Sequence, residues 1–156
     1  MGLRRKAREL AAKTLYALDF REIDPEYREY GMLSGYPELM EQVAKLDRLQ
    51  NQARVLDFAD DLVKNTVINL EQIQAQIGKH SENWSLEAMS KMDLSILNIA
   101  VYELMFTGTP APVVINEAIE IAKKFCGEGS VSFINGLLDS VHKELLAREE
   151  LEGLPG

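Results

Sequence analysis

The sequence predicts an all-α fold, with six or seven helices in one compact domain. Apolar residues recur at three- and four-residue steps along most of the chain, no segment alternates with period two, and only 7% of the residues are aromatic. At 156 residues the chain is long enough for one core and too short for two independent domains. We therefore predict a single domain with an N-terminal helical half over about 1–79, a C-terminal half over about 80–149 and a frayed tail over 150–156.

The N-terminal half is predicted to open with an amphipathic helix over residues 3–20. Its buried face is formed by residues at helical spacing, namely Ala7, Leu10, Ala11, Thr14, Leu15 and Leu18. Residues 24–37 contain two Pro, two Gly and three Tyr, which predicts a loop with room for one short helix. A weaker helical pattern follows to about Gln50. A stronger one runs from Val55 to Gly78, which is predicted to end that helix in a left-handed conformation. The pattern leaves open whether these two segments are continuous.

The C-terminal half is predicted to contain three helices after a polar connector over residues 79–85. Residues 90–93 (Ser-Lys-Met-Asp) have the form of a capping box, which places a helix start there. The two prolines within residues 108–112 end this helix, because proline disfavours helix in the residue before it. A further apolar stripe closes at Gly127, and Ser130 is predicted to be the N-cap of the last helix.

Charge is distributed unevenly along the chain. The formal net charge is −8, with 25 acidic and 17 basic residues, and an acidic protein is repelled by a phosphate backbone. Residues 1–13 nevertheless carry five basic residues against one acid, and cations near a helix N-terminus oppose the helix dipole. An external anion would explain why these cations are there. The alternative is a basic helix start that only faces solvent.

The first helix also carries an aromatic residue close to its arginines. With about 100° of rotation per residue, Arg5, Arg8 and Tyr16 fall in one row beside the buried stripe. Guanidinium groups pair with phosphates, and both guanidinium groups and aromatic rings stack on unpaired bases. The pattern therefore predicts a surface for single-stranded RNA. Because the row is expected to be exposed, replacing Arg5 and Arg8 by Ala is expected to leave folding nearly unchanged.

Nothing in the sequence indicates catalysis or metal binding. Cys126 is the only cysteine, which excludes an internal disulfide, and it is predicted to be a structural thiol rather than a nucleophile. His80 and His142 lie far apart in sequence and are predicted to be surface or linker residues rather than metal ligands. No apolar run has the length of a membrane span or the form of a signal peptide. We expect a cytoplasmic protein without cofactor, metal or enzymatic activity.

Three stretches of the sequence resemble the NusB family of transcription antitermination proteins. They are the arginine-rich residues 4–16, residues 97–104 (LNIAVYEL), and residues 114–125 (VINEAIEIAKKF) with their continuation in residues 133–139 (FINGLLD). They occur in the family's order and span nearly the whole chain. The third stretch is the most specific of the three.

The resemblance implies a NusB-like helical domain with a non-enzymatic role in transcription. The family binds a boxA element in the leaders of ribosomal RNA, together with the ribosomal protein NusE, and joins the RNA polymerase elongation complex through other Nus factors. By resemblance, the RNA-binding residues are Arg4, Arg5, Lys6, Arg8 and Phe133. The residues that match the family's NusE-binding surface are Tyr16, Glu87 and Asp93, and an acidic surface around residues 87–93 would suit a basic partner.

This chain departs from the family pattern in three places. Residues 24–50 are longer than expected, which predicts an added helix or a surface for a homodimer. Gly129 stands where an acidic residue is common, and Val131 and Ser132 replace a more polar or basic pair. One alternative function is a protein–protein interaction module or dimeric scaffold of this fold without RNA binding. Another is the RNA-binding domain of an rRNA methyltransferase, which the chain length disfavours.

Overall fold

The computed structural model describes residues 2–81 and 89–153, which form seven α-helices and one 3-10 turn (Pro25–Tyr27), without a β-strand. The helices are α1 (Leu3–Leu18), α2 (Arg28–Leu46), α3 (Ala53–Ile68), α4 (Leu70–His80), α5 (Lys91–Phe106), α6 (Ala111–Phe125) and α7 (Glu128–Glu152). The predicted all-α fold is confirmed. None of the described helices combines the length and apolar character needed to cross a membrane. The chain divides into two compact units, Met1–Leu70 and Glu71–Gly156, so the division falls before the predicted boundary between residues 79 and 80.

In the first unit, α1 packs its apolar face against α2 and α3. The stripe predicted from its periodicity is buried, and Leu10 and Leu18 are fully enclosed. The buried residues of α3, such as Val55 and Val63, belong to the same core. Full burial of a large aliphatic side chain contributes about 1.5–3 kcal/mol, so this face holds α1 firmly in place. The packing thereby determines which flank of α1 remains at the surface.

Helix α2 includes most of the segment, residues 24–37, that the sequence predicts to be a loop. That prediction is wrong from residue 28 onwards. The helix continues through Pro37, although proline has no N–H to donate and costs a helix interior about 3 kcal/mol. Two tertiary interactions offset this cost. Met32 and Tyr36 are buried, and the Tyr36 hydroxyl donates a hydrogen bond of 2.6 Å to Asp60 of α3.

A Schellman turn separates α2 from α3, so the two segments are not continuous. The N–H of Leu49 donates to the carbonyl oxygen of Ala44 (2.8 Å), and the N–H of Arg48 donates to that of Lys45 (3.1 Å). Arg48 has a φ of 60°, the left-handed conformation that favours glycine. The turn satisfies two carbonyl groups that the end of α2 would otherwise leave open.

The helix predicted from Val55 to Gly78 is divided in two at Asn69, between α3 and α4. The side-chain amide of Asn69 donates a hydrogen bond of 2.8 Å to the carbonyl oxygen of Asn65. This bond satisfies one backbone carbonyl group in the last turn of α3. Helix α4 then continues through Gly78 to His80. The prediction that Gly78 ends a helix in a left-handed conformation is wrong, because no glycine in residues 2–81 or 89–153 has a positive φ.

In the second unit, α5 packs against both α6 and α7, which also pack against each other. It begins after Ser90, whose side-chain oxygen accepts a hydrogen bond of 3.0 Å from the N–H of Asp93, so the predicted helix start is confirmed. It ends at Phe106, just before the predicted proline-containing stop. Of the predicted connector over residues 79–85, residues 82–85 lie outside the described part of the chain.

A polar cluster around Glu144 joins α4 to α7. The Lys79 ammonium pairs with one carboxylate oxygen of Glu144. The second oxygen, Oε2, lies 3.4 Å from His80 Nε2 and 3.4 Å from Arg148 Nη2. The Lys79 contact, with His80 and Arg148, lowers the pKa of Glu144. His80 Nδ1 also lies 2.7 Å from Ser140 Oγ. The prediction that His80 is a surface or linker residue is therefore wrong, because both of its ring nitrogens face side chains of α7.

Candidate nucleic-acid interface

The candidate interface begins with four basic residues in the first two turns of α1. Arg4 is exposed, Arg5 and Lys6 are half-buried, and Arg8 is only 5% exposed. The first turn contains no acidic residue, and the N-cap residue Gly2 makes no side-chain hydrogen bond to the helix. The start of α1 thus combines positive side chains with the positive end of the helix dipole. Both features favour an anion.

Arg8 does not lie in an exposed row, so that part of the sequence-based prediction is wrong. Ala12, one turn further along, is also buried, and only Tyr16 is exposed, at 39%. Helical geometry places Arg8 correctly beside the apolar stripe. How deeply this flank of α1 is buried, however, depends on α3, which packs against α1. Replacing Arg8 by Ala should therefore affect folding, contrary to the expectation from the sequence.

Arg4 and Arg8 share an aromatic partner, Phe58 of α3. Their Cζ atoms lie 5.4 Å and 5.6 Å from the centroid of the Phe58 ring. Such cation–π contacts contribute about 0.5–1 kcal/mol at exposed sites and about 2 kcal/mol when desolvated. They restrict two long side chains before any ligand arrives, so less conformational entropy is lost on binding. A planar guanidinium held near a ring can still direct its N–H donors to a phosphate.

Phe58 is a residue of this site that sequence reasoning missed. In the sequence it is one member of the apolar stripe of α3, and helical spacing does not distinguish a core residue from one that supports cations. The available signal is that Phe58 is the one aromatic residue of α3. An aromatic ring at the edge of an otherwise aliphatic face is a candidate partner for arginines on the neighbouring helix.

Lys13, the last basic residue of the N-terminal segment, is engaged within the first unit. Its Nζ lies 2.7 Å from Asp47 Oδ2 and 3.8 Å from Glu9 Oε2. All three side chains are at least partly buried, so these ion pairs are screened less than a fully exposed pair. The other basic residues of this segment lie in the first two turns of α1.

The candidate partner surface lies at the other end of α1, where two aromatic side chains are exposed. The rings of Tyr16 and Phe20 meet edge to face, with centroids 5.1 Å apart and an interplanar angle of 72°. Large aromatic residues are frequent anchors of protein interfaces. The sequence-based set contains Tyr16 but not Phe20, which lies just beyond the helix end. Glu87, which is also predicted to bind NusE, lies outside the described residues.

Asp93 does not lie on an exposed acidic surface, so this expectation is wrong. It is 8% exposed, and its Oδ2 accepts a hydrogen bond of 2.9 Å from the Ser130 hydroxyl in the first turn of α7. A buried carboxylate needs such donors, because burial of an unpaired charge is costly. Ser130 is accordingly not the N-cap of the last helix. Helix α7 begins at Glu128, after Gly127, which has no side chain to cap it.

The second predicted RNA-binding region is the start of α7. Phe133 lies one turn after Ser130 and is half-buried. Cys126, the C-cap residue of α6, is also half-buried, and burial together with the neighbouring Asp93 carboxylate raises the pKa of its thiol to about 11. The thiol therefore stays protonated at neutral pH, which agrees with the predicted structural role and disfavours a nucleophile.

Comparison with known proteins identifies the family. The sequence model of the NusB family matches residues 5–143. This chain belongs to the NusB family. The transcription antitermination protein NusB of Geobacter sulfurreducens is 43% identical over 147 residues, which cover 93% of this chain and 97% of that protein. The NusB of Solibacter usitatus is 39% identical over 145 residues, covering 93% of this chain and 92% of that protein.

Solved NusB structures share the fold. NusB of T. maritima matches with a TM-score of 0.74 and 33% identity, covering 96% of both chains. A structure of NusB and NusE in complex with double-stranded RNA matches with a TM-score of 0.75 and 26% identity, covering 92% of this chain and 98% of that one. NusB proteins are transcription antitermination factors and not enzymes. The described residues contain no group of three or more His, Cys, Asp or Glu side chains placed to hold a metal ion.

Proposed function

We propose that this chain is a transcription antitermination factor of the bacterial cytoplasm. It binds boxA-type RNA of ribosomal RNA leaders together with NusE and joins the RNA polymerase elongation complex through other Nus factors. The observation that carries the proposal is the cluster of Arg4, Arg8 and Phe58 on a chain whose net charge is −8. Its relatives are antitermination proteins, and a NusB of the same fold has been solved with NusE and RNA.

The basic residues of α1 divide their tasks by exposure. Arg4 is exposed and offers its N–H donors to phosphate oxygens, while the half-buried Arg5 and Lys6 add positive charge beside it. Arg8 is nearly buried, so it contributes its charge to the same surface while it packs with Phe58. Binding that depends on phosphate contacts weakens as salt increases, because bound counterions are released from the RNA.

Two further surfaces complete the proposal. Phe133 at the start of α7 offers a ring on which an unpaired RNA base stacks. Tyr16 and Phe20 offer aromatic anchors for NusE, and the family resemblance implies that Glu87 contacts NusE as well. The net charge of −8 favours association with a basic ribosomal protein. RNA that touches both proteins raises the effective concentration of each for the other, so the ternary complex is tighter than either pair.

The relatives of this chain are antitermination proteins and do not favour the alternative of a dimeric scaffold without RNA binding, although Tyr27, Tyr30 and Leu46 are exposed. The basis for that alternative in the sequence is the long segment of residues 24–50. Helix α2 occupies most of this segment and contributes Met32, Tyr36 and Met40 to the buried core of the first unit. Part of the segment therefore has a role in folding. Homodimer formation stays a prediction, which light scattering after size-exclusion chromatography would test.

Binding of boxA-type RNA and of a scrambled RNA, with and without NusE and over a range of salt concentrations, tests the proposal. We expect tighter binding of the boxA-type RNA, and tighter still with NusE. Replacing Arg4 and Arg5 by Ala should weaken binding. It should also flatten the slope of log affinity against log salt by about 0.7 for each phosphate of single-stranded RNA that the variant no longer neutralises.

Arg21→Ala is the matched control for these variants. Arg21 is an exposed arginine beyond the end of α1, so its replacement removes one positive charge of the same kind at a distance from the start of α1. We expect this control to bind RNA like the wild type. Equal affinity for boxA-type and scrambled RNA in the presence of NusE would contradict the proposed function. An unchanged salt slope in the Arg4 and Arg5 variant would exclude both residues as phosphate contacts.

A further inference from the structure

Asp93 lies where two helices of the second unit begin. It is in the first turn of α5, and its backbone N–H donates to the capping oxygen of Ser90 (3.0 Å). Its side chain turns to α7 instead, where Oδ2 accepts a hydrogen bond of 2.9 Å from Ser130. Asp93 is only 8% exposed. A single buried carboxylate thus connects the starts of α5 and α7.

The start of α7 needs an external connection of this kind. Its N-cap residue Gly127 offers no side-chain oxygen, and Gly129 follows within the first turn. Glycine has greater backbone freedom than other residues, and a glycine N-cap provides no side-chain acceptor for the open N–H groups of the first turn. The Ser130 hydroxyl, held by Asp93, supplies a tertiary constraint on a turn that lacks a local one.

The constraint lies close to the ring that is proposed to contact RNA. Ser130 and Phe133 are three residues apart in α7, so they lie on neighbouring positions of one side of the helix. Phe133 is half-buried, and the next residue, Ile134, is fully buried in the core. If the first turn of α7 loosens, Ile134 stays anchored, whereas the direction of the helix start before it is no longer fixed.

We propose that Asp93 is a positioning residue that orders the first turn of α7 through Ser130 and thereby sets the orientation of Phe133 toward RNA. This assigns Asp93 a role inside the second unit, in place of direct contact with NusE. The RNA part of the inference rests on the proposed function, whereas the ordering of α7 does not. Cys126, at the end of α6, supports the assignment, because the Asp93 carboxylate also interacts with its thiol and contributes to the raised pKa of that thiol.

Hydrogen exchange of the backbone amides of residues 127–133, measured without RNA, tests the ordering directly. Ser130→Ala removes only the hydroxyl that reaches Asp93, so the protein should stay folded and exchange in this segment should become about tenfold faster. Asp93→Ala should have the same effect or a larger one, and Asp93→Asn, which keeps an acceptor oxygen, should restore part of the protection. The double variant with Ala at both positions should be no worse than the more affected single variant.

Two binding measurements separate positioning from partner contact. Asp93→Ala and Ser130→Ala should weaken RNA binding by about tenfold, equivalent to 1.4 kcal/mol, without changing the salt slope, because neither variant removes a cation that pairs with phosphate. Their affinity for NusE in the absence of RNA should stay within about twofold of wild type. Asp139→Asn, which removes an exposed carboxylate of α7 paired with Lys143, is the charge-matched control and should change neither affinity.

Each outcome has a definite meaning. Weaker NusE binding by Asp93→Ala, with exchange of residues 127–133 unchanged, would overturn the proposal and favour direct contact. Faster exchange with unchanged RNA affinity would show that the turn is ordered by Asp93 but does not orient Phe133, which also overturns it. Weaker RNA binding by the Arg4 and Arg5 variant shows that the proposed function holds even if Asp93 fails. Unchanged RNA binding in both sets of variants would count against the function itself.

Discussion

The starts of α1 and α7 are both predicted to contact RNA, yet they are built from different interactions. At α1, positive side chains at or near the surface surround the ring of Phe58. At α7, the important polar contact is buried between Asp93 and Ser130. Each region also encloses one charged residue that was expected at the surface, Arg8 from helical geometry and Asp93 from the family resemblance. We therefore propose that charge at α1 acts on the RNA, whereas charge at α7 acts on the position of the helix.

This difference has a measurable consequence for salt dependence. If the cations of α1 pair with phosphate as proposed, removing one of them should change both the affinity and its salt slope. Removing the Asp93–Ser130 hydrogen bond alters geometry, so the affinity should change while the slope does not. Four sets of substitutions, taken from the largest expected effect to the smallest, would either sharpen this contrast or remove it.

Replacing Phe58 by Ala should have the largest effect. The variant lacks a half-buried aromatic ring and the partner of two arginines, and we expect a free energy of unfolding lower by about 2–3 kcal/mol in urea titrations. Phe58→Leu keeps most of the packing volume, with a cost below about 1.5 kcal/mol, but has no π-system. It should therefore weaken RNA binding while the fold is retained. Wild-type RNA affinity in Phe58→Leu would show that the ring does not prepare Arg4 and Arg8 for binding.

Arg8→Ala and Arg4→Ala should separate stability from binding. Arg8 packs at 5% exposure, so its replacement should lower the free energy of unfolding by about 1–2 kcal/mol. Arg4 is exposed, so its replacement should change stability by less than about 0.5 kcal/mol. RNA binding should show the opposite order, with the larger change in salt slope for Arg4→Ala. Equal effects of the two variants on both quantities would mean that exposure does not divide their roles.

Sequence reasoning could predict the helices but not the depth at which individual charges lie. Apolar spacing identifies the buried face of α1, and the Ser90 cap marks the start of α5. The depth of Arg8 depends on α3, and that of Asp93 depends on the start of α7. These neighbours are distant in sequence, so no local pattern contains the information. Phe58 was missed for the same reason, because its significance depends on arginines of another helix.

Local composition also misleads where tertiary contacts are strong. Residues 24–37 are rich in Gly, Pro and Tyr, which is typical of a loop. Most of them are nevertheless helical, because burial of Met32 and Tyr36 and the Tyr36–Asp60 hydrogen bond outweigh poor helix propensity. Gly78 shows the same effect, since it lies inside α4 and does not end it. In both cases packing of the whole unit decides the structure that propensity alone leaves open.

Lowering the pH should weaken the second unit through Glu144. The Lys79 contact and the other cations lower its pKa below the ordinary value near 4.5. The stability from this cluster is therefore present above that ordinary value and is lost as the pH falls through the lowered pKa. The difference in unfolding free energy between wild type and Glu144→Gln should shrink over this acidic range. A difference that stays constant down to about pH 3 would contradict it. The arginine–Phe58 contacts of the first unit involve no group that titrates there.

The smallest effect is expected from Arg48→Gly, and its direction is opposite to the others. Arg48 has a φ of 60° in the turn after α2, where an L side chain is strained by about 1 kcal/mol and glycine is not. The variant should therefore unfold at a urea concentration equal to or higher than that of the wild type, since the greater freedom of glycine in the unfolded chain offsets part of the gain. It also removes an exposed positive charge that is not part of α1. If RNA recognition depends on the arrangement around Phe58, affinity and salt slope should match those of the wild type. A decrease comparable to that of Arg4→Ala would mean that RNA responds only to total charge, and the contrast between the two helix starts would then have no functional meaning.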